Sequence, residues 1–180
     1  MSKVTTVSMR MITAAALVAV FSSVEDVAGQ IAGTNMAPDL EQAAQLEQHA
    51  RSLYNQRAKY ADAADLLLRA SALRPQGDAQ AADNLIMAGR LRYYIGDLTD
   101  ARRAFFNAAE RAVRNGQVLA AANAYIDAAF VAVEQERQAD AHEMIEAARR
   151  LAGSPHLRDG ERNELKIRIA PMTGDLAGQT

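Results

Sequence analysis

Residues 88–108 read AGRLRYYIGDLTDARRAFFNA, and this stretch decides the fold. A helical run closes on Tyr93-Tyr94, Gly96-Asp97 interrupts it, and a second helical run opens immediately afterwards. Glycine ends helices because it enters the left-handed region without the steric cost that other residues meet. Thr99 reads as the N-cap of the second helix, its short oxygen side chain placed to satisfy free amides. Small residues mark where two helices lie close: Ala88 and Gly89 on the first, Ala101 and Ala108 on the second. Phe105, one turn after Ala101, fills the space beside them.

Working outward, the pattern recurs. Ala101-x3-Phe105-x2-Ala108 has counterparts in Ala63-x3-Leu67-x2-Ala70 and Ala141-x3-Ile145-x2-Ala148, offset by 38 and 40 residues. A further Ala lies thirteen residues before the first Ala of each copy: Ala50, Ala88 and Ala128. Each copy therefore reads as a helical hairpin. The periodicity predicts seven helices, over 39–56, 60–74, 79–95, 99–114, 117–135, 138–152 and 157–169, with Asp78 as a second N-cap and Gly96, Gly116 and Gly153 as stops.

These columns resemble the tetratricopeptide repeat (TPR) family, whose pattern runs W-x2-L-G-x2-Y, then A-x3-F-x2-A, then P. Gly89, Ala101, Phe105 and Ala108 carry the match in the middle copy. Tyr54, Tyr60, Ala63, Leu67, Ala70 and Pro75 carry it in the first, and Ala128, Ala141, Ile145 and Ala148 in the third. The family's Trp position holds Glu47, Leu85 and Tyr125 instead. The resemblance implies an all-α, right-handed solenoid of three TPR-like hairpins (about 41–75, 79–115 and 117–155) plus a C-terminal capping helix. That cap is expected over 156–170, because a stack otherwise ends in bare apolar surface, followed by a flexible tail over 171–180.

Composition agrees with helices. Alanine supplies 39 of 180 residues, Trp is absent and Pro numbers four, a bias away from β-branched and aromatic strand formers. There is no Cys, which excludes thiolate zinc sites, iron–sulfur clusters and disulfides. The net charge is −2 and no run of like charge exceeds two residues, so the concentrated basic face of a nucleic-acid binder is missing.

The start of the chain follows different rules. Lys3 and Arg10 precede Met11–Phe21 (MITAAALVAVF), too short to span a bilayer but suited to a signal-peptide core. Residues 1–29 are read as a signal peptide cut after Gly29, with an earlier cut near Ser22 or Ser23 as the alternative and a retained helix or anchor as the competing reading. Residues 30–38 read as a linker. The expected destination is the periplasm or the medium, with no stable membrane insertion after cleavage.

Catalytic chemistry finds little to work with. Ser-centred elbows and phosphate-binding glycine loops are absent. His142 and Glu146 stand four apart on a predicted helix and could share a metal, but the second His of H-E-x-x-H is missing. No cofactor and no metal are expected. In the resembled family the first helices of the hairpins line a concave face. By that resemblance the partner-binding residues here are Ser52, Asn55, Ile86, Arg90, Tyr93, Tyr94, Ile126 and Phe130, although one of the two Tyr could instead pack against a neighbouring helix. The expected function is a non-catalytic scaffold that binds a protein or peptide segment, as a monomer or weak homo-oligomer. The alternatives are a self-associating structural repeat protein and a metal-dependent hydrolase centred on His142.

Overall fold

The computed structural model describes residues 38–177, which are helix and connecting turn with no strand among them. The signal peptide and all of the linker but Pro38 lie outside the described residues. Seven α-helices follow one another: α1 (Pro38–Ser52), α2 (Tyr60–Leu73), α3 (Ala79–Tyr94), α4 (Leu98–Arg114), α5 (Val118–Glu134), α6 (Gln138–Ala152) and α7 (Asp159–Ala177). A short 3-10 turn, Arg57–Lys59, precedes α2. Each helix packs on the next, α3 also meets α5, and α5 also meets α7. Connections of three residues between packed helices force α3 to α6 to alternate in direction.

One turn is used three times. At Gly96 the amide donates to the Tyr93 carbonyl (2.9 Å) while the Asp97 amide reaches back to Arg92 (3.0 Å). Gly116 and Gln117 bond in the same way to Val113 (3.0 Å) and Ala112 (2.9 Å), and Glu136 and Arg137 to Val133 (2.9 Å) and Ala132 (2.9 Å). This pair of bonds satisfies two helix-terminal carbonyls and requires a left-handed residue at its centre. That residue is Gly96 (φ 82°), Gly116 (φ 70°) and, with a side chain, Glu136 (φ 58°). The N-caps differ from one expectation. Asp78 caps α3 by accepting from the Gln80 amide (2.9 Å), as the sequence suggested. For α4 the cap is Asp97, accepting from Asp100 (3.2 Å), while Thr99 lies inside the helix and accepts from Gln135 Nε2 (3.2 Å).

Two boundaries also move. Helix α1 stops at Ser52 rather than 56, because the amides of Leu53 and Gln56 turn to i→i−3 bonds (3.0 and 2.9 Å). Helix α7 continues through Pro171 to Ala177, into the stretch expected as tail from 171. Proline there cannot donate to the Ile167 carbonyl, and Ile167 stands 73% exposed on that turn.

The alanine columns are the packing surfaces. Ala63 and Ala70 on α2, Ala101 and Ala108 on α4, and Ala141 and Ala148 on α6 are fully buried, with Leu67, Phe105 and Ile145 buried between them. The intervening helices carry the same pattern: Ala81, Leu85 and Ala88 on α3, and Ala121, Tyr125 and Ala128 on α5. From α3 to α6 the columns therefore recur also at half the hairpin spacing, one helix and its turn, 20 residues. Small side chains on both partners let neighbouring helices close up. Gly89 takes this furthest, since a Cβ there would lie 2.8 Å from Cδ1 and Cε1 of the buried Phe105 ring.

A polar joint fastens α1 and α2 to the rest. Glu47, at the position where the resembled family has Trp, is buried. Arg74 grips it with Nε to Oε1 (2.7 Å) and Nη2 to Oε2 (3.0 Å), and Asn84 Nδ2 on α3 donates to Oε1 (2.6 Å). Arg74 also holds Asp78 (2.6 Å), and Arg111 Nη2 donates to the carbonyls of Arg74 (2.7 Å) and Pro75 (2.8 Å). Burial alone would raise the Glu47 pKa, but the Arg74 and Asn84 hydrogen bonds, with the charges of Arg74 and Arg51, hold it below its ordinary value.

Candidate functional site

Helix α3, which packs on α2 and also meets α5, ends in two aromatic residues, Tyr93 and Tyr94. Each of the two meets a ring from a different helix. Tyr94 meets Tyr60 of α2 with ring centroids 6.3 Å apart, Tyr93 meets Phe130 of α5 at 6.0 Å, and the two tyrosines meet each other at 6.2 Å. The result is a chain of four rings, Tyr60–Tyr94–Tyr93–Phe130, laid across three helices at nearly constant spacing. The edge-to-face contacts within it each add about 0.5–1.5 kcal/mol beyond area burial, so the rings hold one another in place.

Beside the rings lies a cavity of about 200 Å³, lined by Arg90, Tyr93, Tyr94, Asp127, Phe130 and Val131 and floored by Phe105. Tyr94 is 58% exposed and Phe130 48%, an unusual amount of aromatic surface to leave wet. The two charged groups at the cavity are in different states. Asp127 is neutralised by Arg168 of α7 (2.6 Å), which also donates to Asn123. Arg90 is exposed and has no hydrogen-bond or ion-pair partner among the described residues. At the far end of the rings Arg57 Nη2 donates to the Tyr94 carbonyl (3.1 Å), which orients its guanidinium without cancelling its charge. The Tyr93 hydroxyl donates to Glu134 (2.9 Å), and that carboxylate, with some burial, raises the tyrosine pKa.

Four of the residues expected to bind a partner, Arg90, Tyr93, Tyr94 and Phe130, come together here. The others are placed elsewhere. Ile126 is buried in the core, and Ile86 packs partly buried against the same core. Ser52 and Asn55 are exposed near the end of α1 and do not line the cavity; the Ser52 hydroxyl donates to its own helix at the His49 carbonyl (2.7 Å). Sequence reasoning did not single out Asp127, although it stands one turn before Phe130 and shares its face. Arg57 lies in the α1–α2 connection and Tyr60 opens α2, and no spacing rule in the sequence brings either to the end of α3.

A guanidinium, phenols, a phenyl ring and aliphatic surface can bury an apolar group and pair with an anion. His142 stands apart on α6 and is exposed, and Glu146, its neighbour one turn on, is held by Arg149. Among the described residues no group of three or more His, Asp or Glu is placed to hold a metal, and no helix is long and apolar enough to cross a membrane. Compared with models of protein families and with curated proteins, the chain matches none.

Proposed function

We propose that this chain is a non-catalytic protein-interaction module, exported to the cell envelope, that binds a protein or peptide segment across α3 and α5. In this reading the helices form a solenoid of three TPR-like hairpins with α7 as the cap. The recurring turn and the alanine columns support the hairpin plan, and the basic start followed by a short apolar run supports export. One observation carries the functional reading: three rings of the chain, Tyr93, Tyr94 and Phe130, two of them about half exposed, line one cavity with an arginine that is unpaired among the described residues. At about 200 Å³ the cavity is smaller than the roughly 300–1,000 Å³ of sites that enclose a drug-sized ligand. Its size suits one large side chain presented by a longer partner. Tyr and Arg are also the residue types in which interface energy concentrates.

The test is site-specific photo-crosslinking in the native host, with the photoreactive group at Tyr94 or, as a control, at Arg103 on the outward face of α4. A defined adduct from position 94 that disappears with Arg90→Ala, and no matching adduct from 103, is the expected result. Adducts from 103 alone place the partner elsewhere and refute the reading.

A self-associating role is favoured by one feature, the exposed Ile167 on α7. Sedimentation of the chain and of its Ile167→Ser variant separates the two: an oligomer dissolved by that change makes assembly the function.

A further inference from the structure

A larger concavity, of about 410 Å³, opens between α6 and α7 and shares no lining residue with the cavity beside the rings. We infer that it binds an anionic amphiphile: a small molecule or lipid with an aliphatic or aromatic body and a phosphate, sulfate or carboxylate head.

The two walls follow from helical spacing. On α7, Arg162, Lys166 and Ile169 stand four and then three residues apart, so they share one stripe, which Ala170 continues. On α6, Arg149, Ala152 and Gly153 stand together at the last turn. Ala152 and Ile169 are buried and make an apolar floor, while Arg149 and Lys166 are exposed and Arg162 is half-buried. The space beside Gly153 is open: a Cβ there would meet only the Arg150 carbonyl, at 3.4 Å. The volume falls within the roughly 300–1,000 Å³ of small-molecule sites.

The charges set the class of ligand. Three cations line the cavity and, among the described residues, no carboxylate does. Glu146, one turn back on α6, cancels Arg149, and Glu161 is engaged by Arg158. Asp159 makes no ion pair with Arg162, and Lys166 has no hydrogen-bond or ion-pair partner among the described residues. Arg162 Nη2 donates to the Ser154 and Leu157 carbonyls (3.3 and 3.1 Å), and its Nε is buried with no acceptor. Neutral carbonyls orient the guanidinium without cancelling its charge, and a buried N–H left without an acceptor is rare in folded proteins. The end of α6 does not supply the missing negative charge, since the carbonyls of Arg150 and Leu151 are taken by the amides of Gly153 (3.2 Å) and Ser154 (2.9 Å). A guanidinium and an ammonium beside an apolar floor attract oxyanions more strongly than the same groups in open water. A bare phosphate would use the cations and leave the floor wet, whereas an anion with an apolar body uses both.

The experiment is calorimetric titration of the full chain with octyl phosphate below its micelle-forming concentration, beside octanol and inorganic phosphate, with amide NMR shifts to locate the ligand. Octyl phosphate is expected to bind more tightly than either control and to shift the amides of Ala152, Gly153 and Ala170. Lys166→Glu, at an exposed side chain, is expected to weaken it about 10- to 100-fold, the scale of a lost charged hydrogen bond. Arg90→Ala, at the rings, is expected to leave it unchanged. Vesicles of phosphatidylglycerol, set against phosphatidylcholine, separate the two sources of such a head. Cosedimentation that Lys166→Glu abolishes assigns a bilayer lipid, and octyl phosphate binding without cosedimentation assigns a soluble ligand. No binding, equal binding of octanol or of inorganic phosphate, or shifts confined to the ring cavity would overturn the inference. So would a Lys166→Glu chain that keeps both its helical spectrum and its affinity.

Discussion

Replacing Glu47 by Gln removes one charge from the joint between α1 and α3 and replaces the oxygen that accepts from Arg74 Nη2 with an NH2 group. The amide oxygen still accepts from Asn84, and the shape is preserved. What is lost is the ionic partner of Arg74, whose side chain is 14% exposed against 7% for Glu47. Breaking a buried pair costs about 3–5 kcal/mol when the survivor is stranded. Here Arg74 keeps Asp78 at 2.6 Å, so the cost falls to about 2–3 kcal/mol. For a domain of this size that is a drop in melting temperature of about 5–10 °C. The pH dependence has a definite sign. The folded pKa of Glu47 lies below its ordinary 4.5, so its contribution is complete above that value and is lost as pH falls through the folded pKa. Urea denaturation at neutral pH and at successive steps below pH 4.5 is the assay. Asp78, which Arg74 also holds below its ordinary value against the pull of burial, titrates in both proteins and largely cancels in the comparison. The gap between the two proteins is expected to close in acid. A gap that stays constant with pH would show that Glu47 acts through shape, and the electrostatic account would fail.

Gly89→Ala should gain about 1 kcal/mol from helix propensity and lose about 1–3 kcal/mol to the Phe105 ring. In a Phe105→Leu background the loss should shrink and the same substitution become stabilising, and equal effects in both backgrounds by chemical denaturation would refute the contact. Glu136→Gly relieves a left-handed residue that carries a side chain, worth roughly 1–2 kcal/mol before the entropy cost of glycine. A net gain of about 0.5–1 kcal/mol is expected in thermal melts, whereas a loss would mean that the Glu136 side chain makes a stabilising contact.

The helices are legible in the sequence because two strong local signals coincide. Ala and bulky residues recur with helical spacing, and glycine stands at 96 and 116, where the turn needs a positive φ. The third turn carries Glu136 in the same conformation, and there only the periodicity marks the break. The end of α1 is hard to place because Leu53–Gln56 has no glycine or proline to stop it, and Thr99 competes with Asp97 because both residue types cap helices. The 20-residue unit within the hairpin is hidden for a similar reason: matching Leu85 and Tyr125 to a Trp column obscures their equivalence to Phe105 and Ile145. At the site, Arg90, Tyr93, Tyr94 and Phe130 can be read from positions on two helices. Tyr60, Arg57 and the Arg168–Asp127 pair cannot, since each depends on contacts between elements far apart in the chain.

The 20-residue recurrence imposes a parity on the chain. Every helix from α3 to α6 carries the same packing columns, so a single helix and turn could be inserted or removed without disturbing the register of its neighbours. Consecutive helices alternate in direction, however, and the rings lie on helices of both parities: Tyr60 on an even one, Tyr93, Tyr94 and Phe130 on odd ones. An odd number of units added between α3 and α5 would reverse the sense in which Phe130 approaches Tyr93. An even number would restore the sense but carry Phe130 two layers away. Growth at either end is free of this constraint, while growth between α2 and α5 is closed to any variant that keeps the rings together.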